Sequence, residues 1–194
     1  LISTFFSVCG AQSLKSLSRV QKAVVSVNTY DKNGDLLKSG TAFYIGPDGD
    51  AVADYSLFKN AYRAIVVDMN GKQYDVDCIN GADDTYSIIR FKVIVKNNAY
   101  MNIVAAGSDN GSTVYLVPFS REKIKKCADA IVESYDSIQG KYLYYTLSSC
   151  LDSLGVGCPV LNAKGEVTAI MQPSVDGKGY ALAIRSDVVC HSST

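Results

Sequence analysis

The chain has 194 residues, 47% of them hydrophobic, which is enough to form a sizeable core in one large domain or two small ones. Its 19 basic and 19 acidic residues balance, and the lack of a basic excess argues against a dedicated nucleic-acid surface. No run of about 18 or more apolar residues occurs, so we expect no segment that spans a membrane.

The first residues, LISTFFSVCGAQ, are apolar, then small, then polar, which is typical of the end of a secretory signal peptide. Cleavage after Ala11 would leave Gln12 as the mature N-terminus. We therefore expect residues 1–11 to be a signal-peptide remnant and the protein to be exported, whether periplasmic, cell-surface or secreted. Two alternatives are a buried N-terminal strand and a lipoprotein acylated at Cys9, although the bulky Val8 precedes that cysteine.

The segment SLKSLSRVQKA follows, and its spacing of Leu14, Leu17 and Val20 predicts a short amphipathic helix. After it come short runs rich in Val, Ile, Tyr and Thr, separated by turns that contain Gly, Asn or Asp. The runs of the first half are AVVSVNTYD, GTAFYIG, AVADY, AIVVDM, QYDVDCI and YSIIRFKV. The turns KNGD, PDGD and NGK between them carry Asn-Gly and Asp-Gly pairs, which favour hairpins.

A polar stretch, KNNAYMNIVAAGSDNG, interrupts the series near residues 95–111. The pattern resumes with STVYLVPF, CADAIVESYDSI, KYLYYTLS, GEVTAIMQ and GYALAI. The result is about twelve short strands in two sets, a spacing typical of β-barrels and sandwiches. We therefore predict an all-β fold of two six-stranded antiparallel β-barrels behind a short N-terminal helix, the first barrel near residues 23–95 and the second near 112–185.

The number and spacing of the cysteines predict few disulfide bonds. Cys9 would leave with the signal peptide, and the odd number that remains leaves at least one thiol free or paired between chains. Cys150 and Cys158 bracket the loop LDSLGVG, and we expect them to form a disulfide. Cys78 alternates with Val76 on a strand face, which predicts a buried free thiol. No CxxC spacing occurs and the chain has a single histidine, so we expect no metal site and no cofactor.

Five segments of the chain carry a resemblance that extends from Ser13 to Val189. They are QKAVVSVNTY, GTAFYIGPDGDAVADYSLFKNA, GADDTYSIIRFKV, GVGCPVLNAKGEVTAIM and GYALAIRSDVV. In their order and turns they resemble the chymotrypsin-like (trypsin-like) serine peptidases, especially the bacterial HtrA (Deg) branch. The resemblance implies a double barrel with a cleft between its halves, and further domains on the same polypeptide.

The resemblance also assigns the catalytic positions, and each of them departs from the family's pattern. The family's histidine falls on Ser56, its aspartate on Ser87 and its nucleophilic serine on Val156. The glycine whose N–H helps to form the oxyanion hole falls on Leu154. Valine has no nucleophilic atom, and a serine is not a base near neutral pH. The resemblance therefore implies a pseudoprotease, a peptidase fold without catalytic residues.

Other residues near these segments are candidates for displaced chemistry. Ser153 and Cys158 flank the nucleophile position, but Cys158 precedes a proline and lacks an imidazole partner, since His191 lies beyond the last predicted strand. Asp54 and Asp84 lie close to the segments that resemble an active site. For both we expect solvated carboxylates in turns.

We expect the chain to be a catalytically inactive trypsin-like domain that binds an extended peptide or a protein in the cleft between the barrels, or that acts as a scaffold. This role follows from analogy of fold. Two alternatives are an active serine or cysteine peptidase with non-standard residues, and a purely structural module of a longer multidomain protein.

Overall fold

The computed structural model describes residues 19–104, 107–121, 128–138, 142–149, 151, 155–175 and 178–183. A short helix covers residues 19–23, and one 3₁₀ turn covers Tyr55–Leu57. The strands of the first half are β1 Val24–Tyr30, β2 Leu36–Tyr44, β3 Asp50–Asp54, β4 Arg63–Val67, β5 Gln73–Asp83 and β6 Ile88–Val93. Those of the second half are β7 Thr113–Leu116, β8 Ala128–Ile138, β9 Tyr142–Leu147, β10 Pro159–Leu161, β11 Val167–Val175 and β12 Lys178–Ala183.

These strands form two closed antiparallel barrels of six strands each. The order around the first barrel is β1-β2-β3-β6-β5-β4, and around the second it is β10-β11-β12-β9-β8-β7. The prediction of an all-β double barrel behind a short helix is confirmed, and the arrangement fits a chymotrypsin-like fold. The predicted signal remnant, residues 1–11, and the helix positions Leu14 and Leu17 lie outside the described residues. No helix within the described ranges is long and apolar enough to cross a membrane.

Each barrel encloses its own core, and a third apolar cluster joins the two. Alternation along β1 turns Val25 and Val27 into the first barrel, while Leu116 and Tyr145 fill the second. The joining cluster contains Phe43, Val52 and Ile88 from the first barrel, Leu161, Ile170 and Leu182 from the second, and Val20 and Ala23 from the helix. We call this boundary between the barrels the seam.

The connection between the barrels is hydrogen-bonded to both of them. The Met101 N–H donates to the carbonyl of Tyr44 on β2 at 2.9 Å. The Val167 N–H of β11 donates to the carbonyl of Asn102, and the Val104 N–H donates back to Val167, each at 3.0 Å. The linker therefore helps to fix how the two barrels sit against each other.

Cys78 is exposed, so the prediction of a buried thiol at this position is wrong. The register of β5 against β6 shifts at this point, where Val76 pairs with Val93 but Cys78 pairs with Lys92. Because neighbouring residues on β6 face opposite sides of the sheet, this β-bulge turns Cys78 to the outer face. The prediction assumed a strand without a bulge, in which Cys78 would alternate with its neighbours, and it therefore placed Cys78 on the wrong face of the sheet.

Cys158 carries a free thiol, so the predicted disulfide with Cys150 is wrong. Its side chain is fully buried in the core of the second barrel, where it packs with residues such as Leu116 and Met171. The residue directly precedes β10, and it therefore belongs to the barrel wall rather than to the surface loop. Cys150 lies outside the described residues.

Candidate functional site

Strand β3 ends at the seam with a buried carboxylate, Asp54. The side chain caps the 3₁₀ turn that follows, because its Oδ1 accepts a hydrogen bond from the Ser56 N–H at 2.8 Å. Asp54 is 0% exposed. The prediction of a solvated carboxylate is therefore wrong for Asp54, whereas Asp84 is exposed in a turn as expected.

Ser87 contacts the same carboxylate oxygen from the start of β6. Its hydroxyl donates to Asp54 Oδ1 at 3.2 Å, and its carbonyl accepts from the Tyr55 N–H at 3.0 Å. The backbone of Ser87 has a φ of 52°, a left-handed conformation that is uncommon outside glycine. Two of the three positions that resemble a triad, Ser56 and Ser87, thus meet on one oxygen of Asp54.

The loop of the second barrel that carries Val156 packs directly onto the first barrel. The Val156 carbonyl accepts a hydrogen bond from the Thr41 N–H of β2 at 2.8 Å, and the Val156 side chain packs against the first core. The next residue, Gly157, has a φ of 83°, and a Cβ at this position would lie 2.2 Å from the Thr41 carbonyl oxygen and 3.2 Å from the Asp54 nitrogen. The loop at Val156 and Gly157 therefore packs closely against the backbone of Thr41 and Asp54.

The second barrel adds two polar side chains at this point. The Gln172 side chain lies close enough to Asp54 to favour its ionised form, yet Gln172 Nε2 and Asp54 Oδ2 have no hydrogen-bond partner among the described residues. Burial raises the pKa of Tyr144, and the nearby charge of Asp54 raises it further. We call Asp54, Ser56, Ser87, Gln172 and Tyr144 together the Asp54 centre.

Burial dominates the electrostatics of the Asp54 centre. It raises the pKa of Asp54 above the ordinary value of 3.8, while the hydrogen bonds from Ser56 and Ser87 and the nearby side chain of Gln172 oppose this shift. No ion pair to Asp54 is formed within the described part of the chain. Among the described residues, only neutral groups donate hydrogen bonds to the carboxylate. The effect of burial on the pKa of Asp54 is larger than the opposing effect of these donors.

This arrangement is poorly suited to nucleophilic catalysis. A serine hydroxyl needs a base that is positioned to take its proton and is itself oriented by a third group. Asp54 is enclosed, and it accepts from both serines rather than from an imidazole. The single histidine, His191, lies outside the described residues, as do Ser153 and Leu154.

Cys158 is equally unsuited to act as a nucleophile. Burial raises the pKa of the Cys158 thiol, and no part of its side chain reaches the surface. A reactive cysteine needs a thiolate and a path for the substrate. The described residues also hold no group of three His, Cys, Asp or Glu side chains that would bind a metal ion.

Sequence reasoning named Asp54 but expected it to be solvated, and it missed Gln172 and Tyr144. A signal for Asp54 was present, since an aspartate at a strand end two residues before a serine is typical of an N-cap. Gln172 stood out as the polar residue at the end of the apolar run VTAIM. Nothing local indicated that Tyr144 would contribute, because it approaches from the other barrel.

The two closed six-stranded antiparallel barrels fit a chymotrypsin-like fold. The sequence matches no protein-family model. It is 24% identical over 181 residues to the anti-sigma-I factor RsgI9 of Acetivibrio thermocellus. That similarity covers 87% of this chain but 24% of the relative, so the chain spans about a quarter of that protein's length.

Proposed function

We propose that this chain is a catalytically inactive trypsin-like domain of the HtrA type, within a longer exported protein, that binds an extended peptide or protein segment along the seam. The observation that carries the proposal is the Asp54 centre. At two of the positions that resemble a catalytic triad, serines share one buried carboxylate, and the third position holds a valine that packs against the core of the first barrel.

The chemistry of these side chains favours binding over turnover. Ser56, Ser87 and Val156 are all partly exposed, whereas the charge of Asp54 is buried beneath them. A peptide at this surface would meet hydroxyl groups and an aliphatic side chain, but no free general base among the described residues. Such a surface suits main-chain hydrogen bonds and apolar contacts, which are the means by which strand edges bind extended peptides.

The similarity to an anti-sigma-I factor supports a place in a longer regulatory protein. The chain corresponds to a fraction of that relative, as one domain of a multidomain protein would. In such a setting, a peptidase fold without catalysis would serve to recognise a polypeptide rather than to cut it. The signal-like residues 1–11 favour an exported location for this domain.

Binding is tested with a fluorescein-labelled unfolded polypeptide, carboxymethylated lactalbumin, and the purified full chain. We expect fluorescence anisotropy to rise on binding without any cleavage of the probe. Val156→Arg and Ser56→Arg each place a long charged side chain at the seam surface, and each should weaken binding by about tenfold or more. Two seam variants are used so that a folding defect in one does not decide the result.

The matched control is Ile131→Arg, on the outer face of β8 and away from the seam. It should leave affinity unchanged, and thermal unfolding should show that all three variants are folded. Absence of binding, or equal binding by the seam variants and the control, would favour the purely structural alternative. Cleavage of the probe that a single substitution abolishes would favour the active peptidase.

A further inference from the structure

The wall of the first barrel opens between β4 and β5. The two strands pair through only three residue pairs, from Ile65 with Asp75 to Val67 with Gln73. Strand β5 then continues to Asp83 and pairs with β6 alone. Within the described residues, the other edge of Val76–Asp83 makes no backbone hydrogen bond, so its N–H and C=O groups form an open sheet edge.

A groove with a volume of about 360 Å³ lies in this opening. Its lining residues include Tyr62, which precedes β4, and Asp77, Cys78 and Ile79 of β5. Ala64 and Ile89, which belong to the buried core of the barrel, also line it. The groove therefore gives access to the first core, and it is separate from the seam.

The rim of the groove exposes large apolar side chains. Tyr62 is 70% exposed and Ile79 is 49% exposed. Large exposed apolar side chains beside a groove that reaches an apolar core are typical of a surface that a partner covers. The open edge of β5 further favours an extended partner, because an added strand would satisfy the free backbone groups and complete the wall of the barrel.

The charged side chains around the groove indicate which charge a partner segment should carry. Arg63 at its edge is neutralised by Asp75, with 2.6 Å between Nη2 and Oδ1. Asp77 in the groove and Asp84 beyond the end of β5 are exposed and make no ion pair among the described residues. The open edge is thus acidic. Two copies of β5 would place like charges opposite each other, which argues against a second copy as the occupant.

We propose that this groove binds one extended segment of a partner protein, which pairs with Val76–Asp83 as an added strand. The segment carries an aromatic or large aliphatic side chain that enters the groove between Tyr62 and Ile79. Lysine or arginine residues flank that side chain and approach Asp77 and Asp84. This surface is distinct from the seam, so the chain has two places at which it contacts polypeptides.

The test uses a fluorescein-labelled, N-acetylated peptide with the sequence Lys-Val-Phe-Val-Lys-amide and the full chain. Anisotropy should show saturable binding. A peptide with Glu in place of both Lys residues should bind more weakly by about tenfold or more, since it meets an acidic edge. A peptide with N-methylated valines should also bind more weakly, because methylation removes two of the N–H groups that could pair with the edge of β5 and adds steric bulk there.

Two pairs of variants place the peptide on the chain. Ile79→Lys should weaken binding by about tenfold or more, whereas Ile131→Lys, at a residue that is also 49% exposed, should not change it. Asp77→Lys should weaken binding of the Lys peptide and improve binding of the Glu peptide. Its control, Asp129→Lys, lies exposed on β8 of the second barrel and should change neither.

A second measurement needs no variant. The peptide should slow the reaction of N-ethylmaleimide with exposed Cys78, followed by mass spectrometry of the fragment that contains it. Two results would overturn the proposal: peptide binding that does not slow the modification of Cys78, and a peptide affinity that Ile79→Lys leaves unchanged. Self-association of the chain that Ile79→Lys abolishes would show that the occupant is a second copy and would overturn it too.

Discussion

The hydroxyl of Ser87 donates a hydrogen bond to Oδ1 of Asp54 at 3.2 Å, which links the start of β6 to the end of β3. The same oxygen accepts the N–H of Ser56. The two positions that resemble the base and the orienting aspartate of a peptidase are therefore occupied by donors to a buried carboxylate. Within the part of the chain that the structure describes, an internal hydrogen-bond network without an ion pair to Asp54 holds the site together.

The first prediction concerns Asp54→Asn and pH. Because burial raises the folded-state pKa of Asp54 above 3.8, the folded protein binds this proton more tightly than the unfolded chain does. The contribution of Asp54 to the free energy of unfolding is therefore largest below 3.8 and decreases as pH rises through the raised folded pKa. Urea unfolding should show the wild type losing stability relative to Asp54→Asn as pH increases over this window.

Asp84→Asn is the matched control, since Asp84 is exposed in a turn. Its stability should follow that of the wild type at every pH. A stability difference between the wild type and Asp54→Asn that does not change with pH would show that burial does not govern this carboxylate.

The second prediction compares two glycines with similar backbone angles. Gly157 and Gly165 have φ values of 83° and 79°, but a Cβ at Gly157 would lie 2.2 Å from the Thr41 carbonyl oxygen, while nothing lies within 4 Å of one at Gly165. Gly165→Ala should therefore cost about 1 kcal/mol for the left-handed backbone alone. Gly157→Ala should lower the free energy of unfolding by more than about 3 kcal/mol, because the new methyl group would also force the Val156 loop away from Thr41 of the first barrel.

The measurement is urea unfolding of both variants beside the wild type. Equal losses of stability would mean that the contact between the Val156 loop and β2 is not tight. A larger loss for Gly165→Ala would contradict the described packing altogether.

The architecture was predictable from the sequence because its signals are local. Turns such as DKNGD and NAKGE place glycine where the chain must reverse, and Gly34 and Gly165 do have positive φ values. Alternation in β1 and the continuous apolar run of β11 marked the strands. The two barrels were predicted from the number and spacing of the strands in two sets, and the resemblance implied the same double barrel.

The candidate site was less predictable because it is assembled from distant parts of the chain. The resemblance named Ser56, Ser87 and Val156, yet it gave no reason to expect a buried carboxylate among them. The close approach of Gly157 to the backbone of Asp54 joins residues about 100 positions apart in the chain, and no local pattern predicts it. In the same way, the bulge in β5 that exposes Cys78 arises from strand pairing and not from composition.

The third prediction concerns the two cysteines that the structure describes. Iodoacetamide should modify exposed Cys78 in the native protein and should reach Cys158 only after unfolding. Burial of Cys158 and the raised pKa of its thiol both oppose reaction. Mass spectrometry of the digested protein measures both sites in one sample. Modification of Cys158 in the native state at a rate similar to Cys78 would revive the cysteine-nucleophile alternative.

The fourth prediction concerns a restored triad, made by Ser56→His, Ser87→Asp and Val156→Ser. Because Ser87 Oγ lies 3.2 Å from Asp54 Oδ1, the second of these changes sets two carboxylates against each other. The repulsion should lower stability at neutral pH by more than about 2 kcal/mol. Adding Asp54→Asn gives a quadruple variant that should recover most of this loss. At lower pH the difference in the free energy of unfolding between the triple and quadruple variants should become smaller.

Urea unfolding at two pH values checks this expectation. Val156→Asn, which adds no carboxylate, serves as a control that Asp54→Asn should not rescue. Equal stability of the triple and quadruple variants at neutral pH would show that position 87 does not face Asp54.

The most direct test of the central claim is a hydrolysis assay of the purified, unmodified chain with peptide and ester substrates, accompanied by fluorophosphonate labelling. We predict rates equal to those of the buffer alone and no stoichiometric label. Val156→Ser should behave in the same way, because no base would activate the new hydroxyl. Turnover by the unmodified chain that a single substitution at Cys158 or Ser153 abolishes would contradict the account and would show that the catalytic chemistry has moved within the loop.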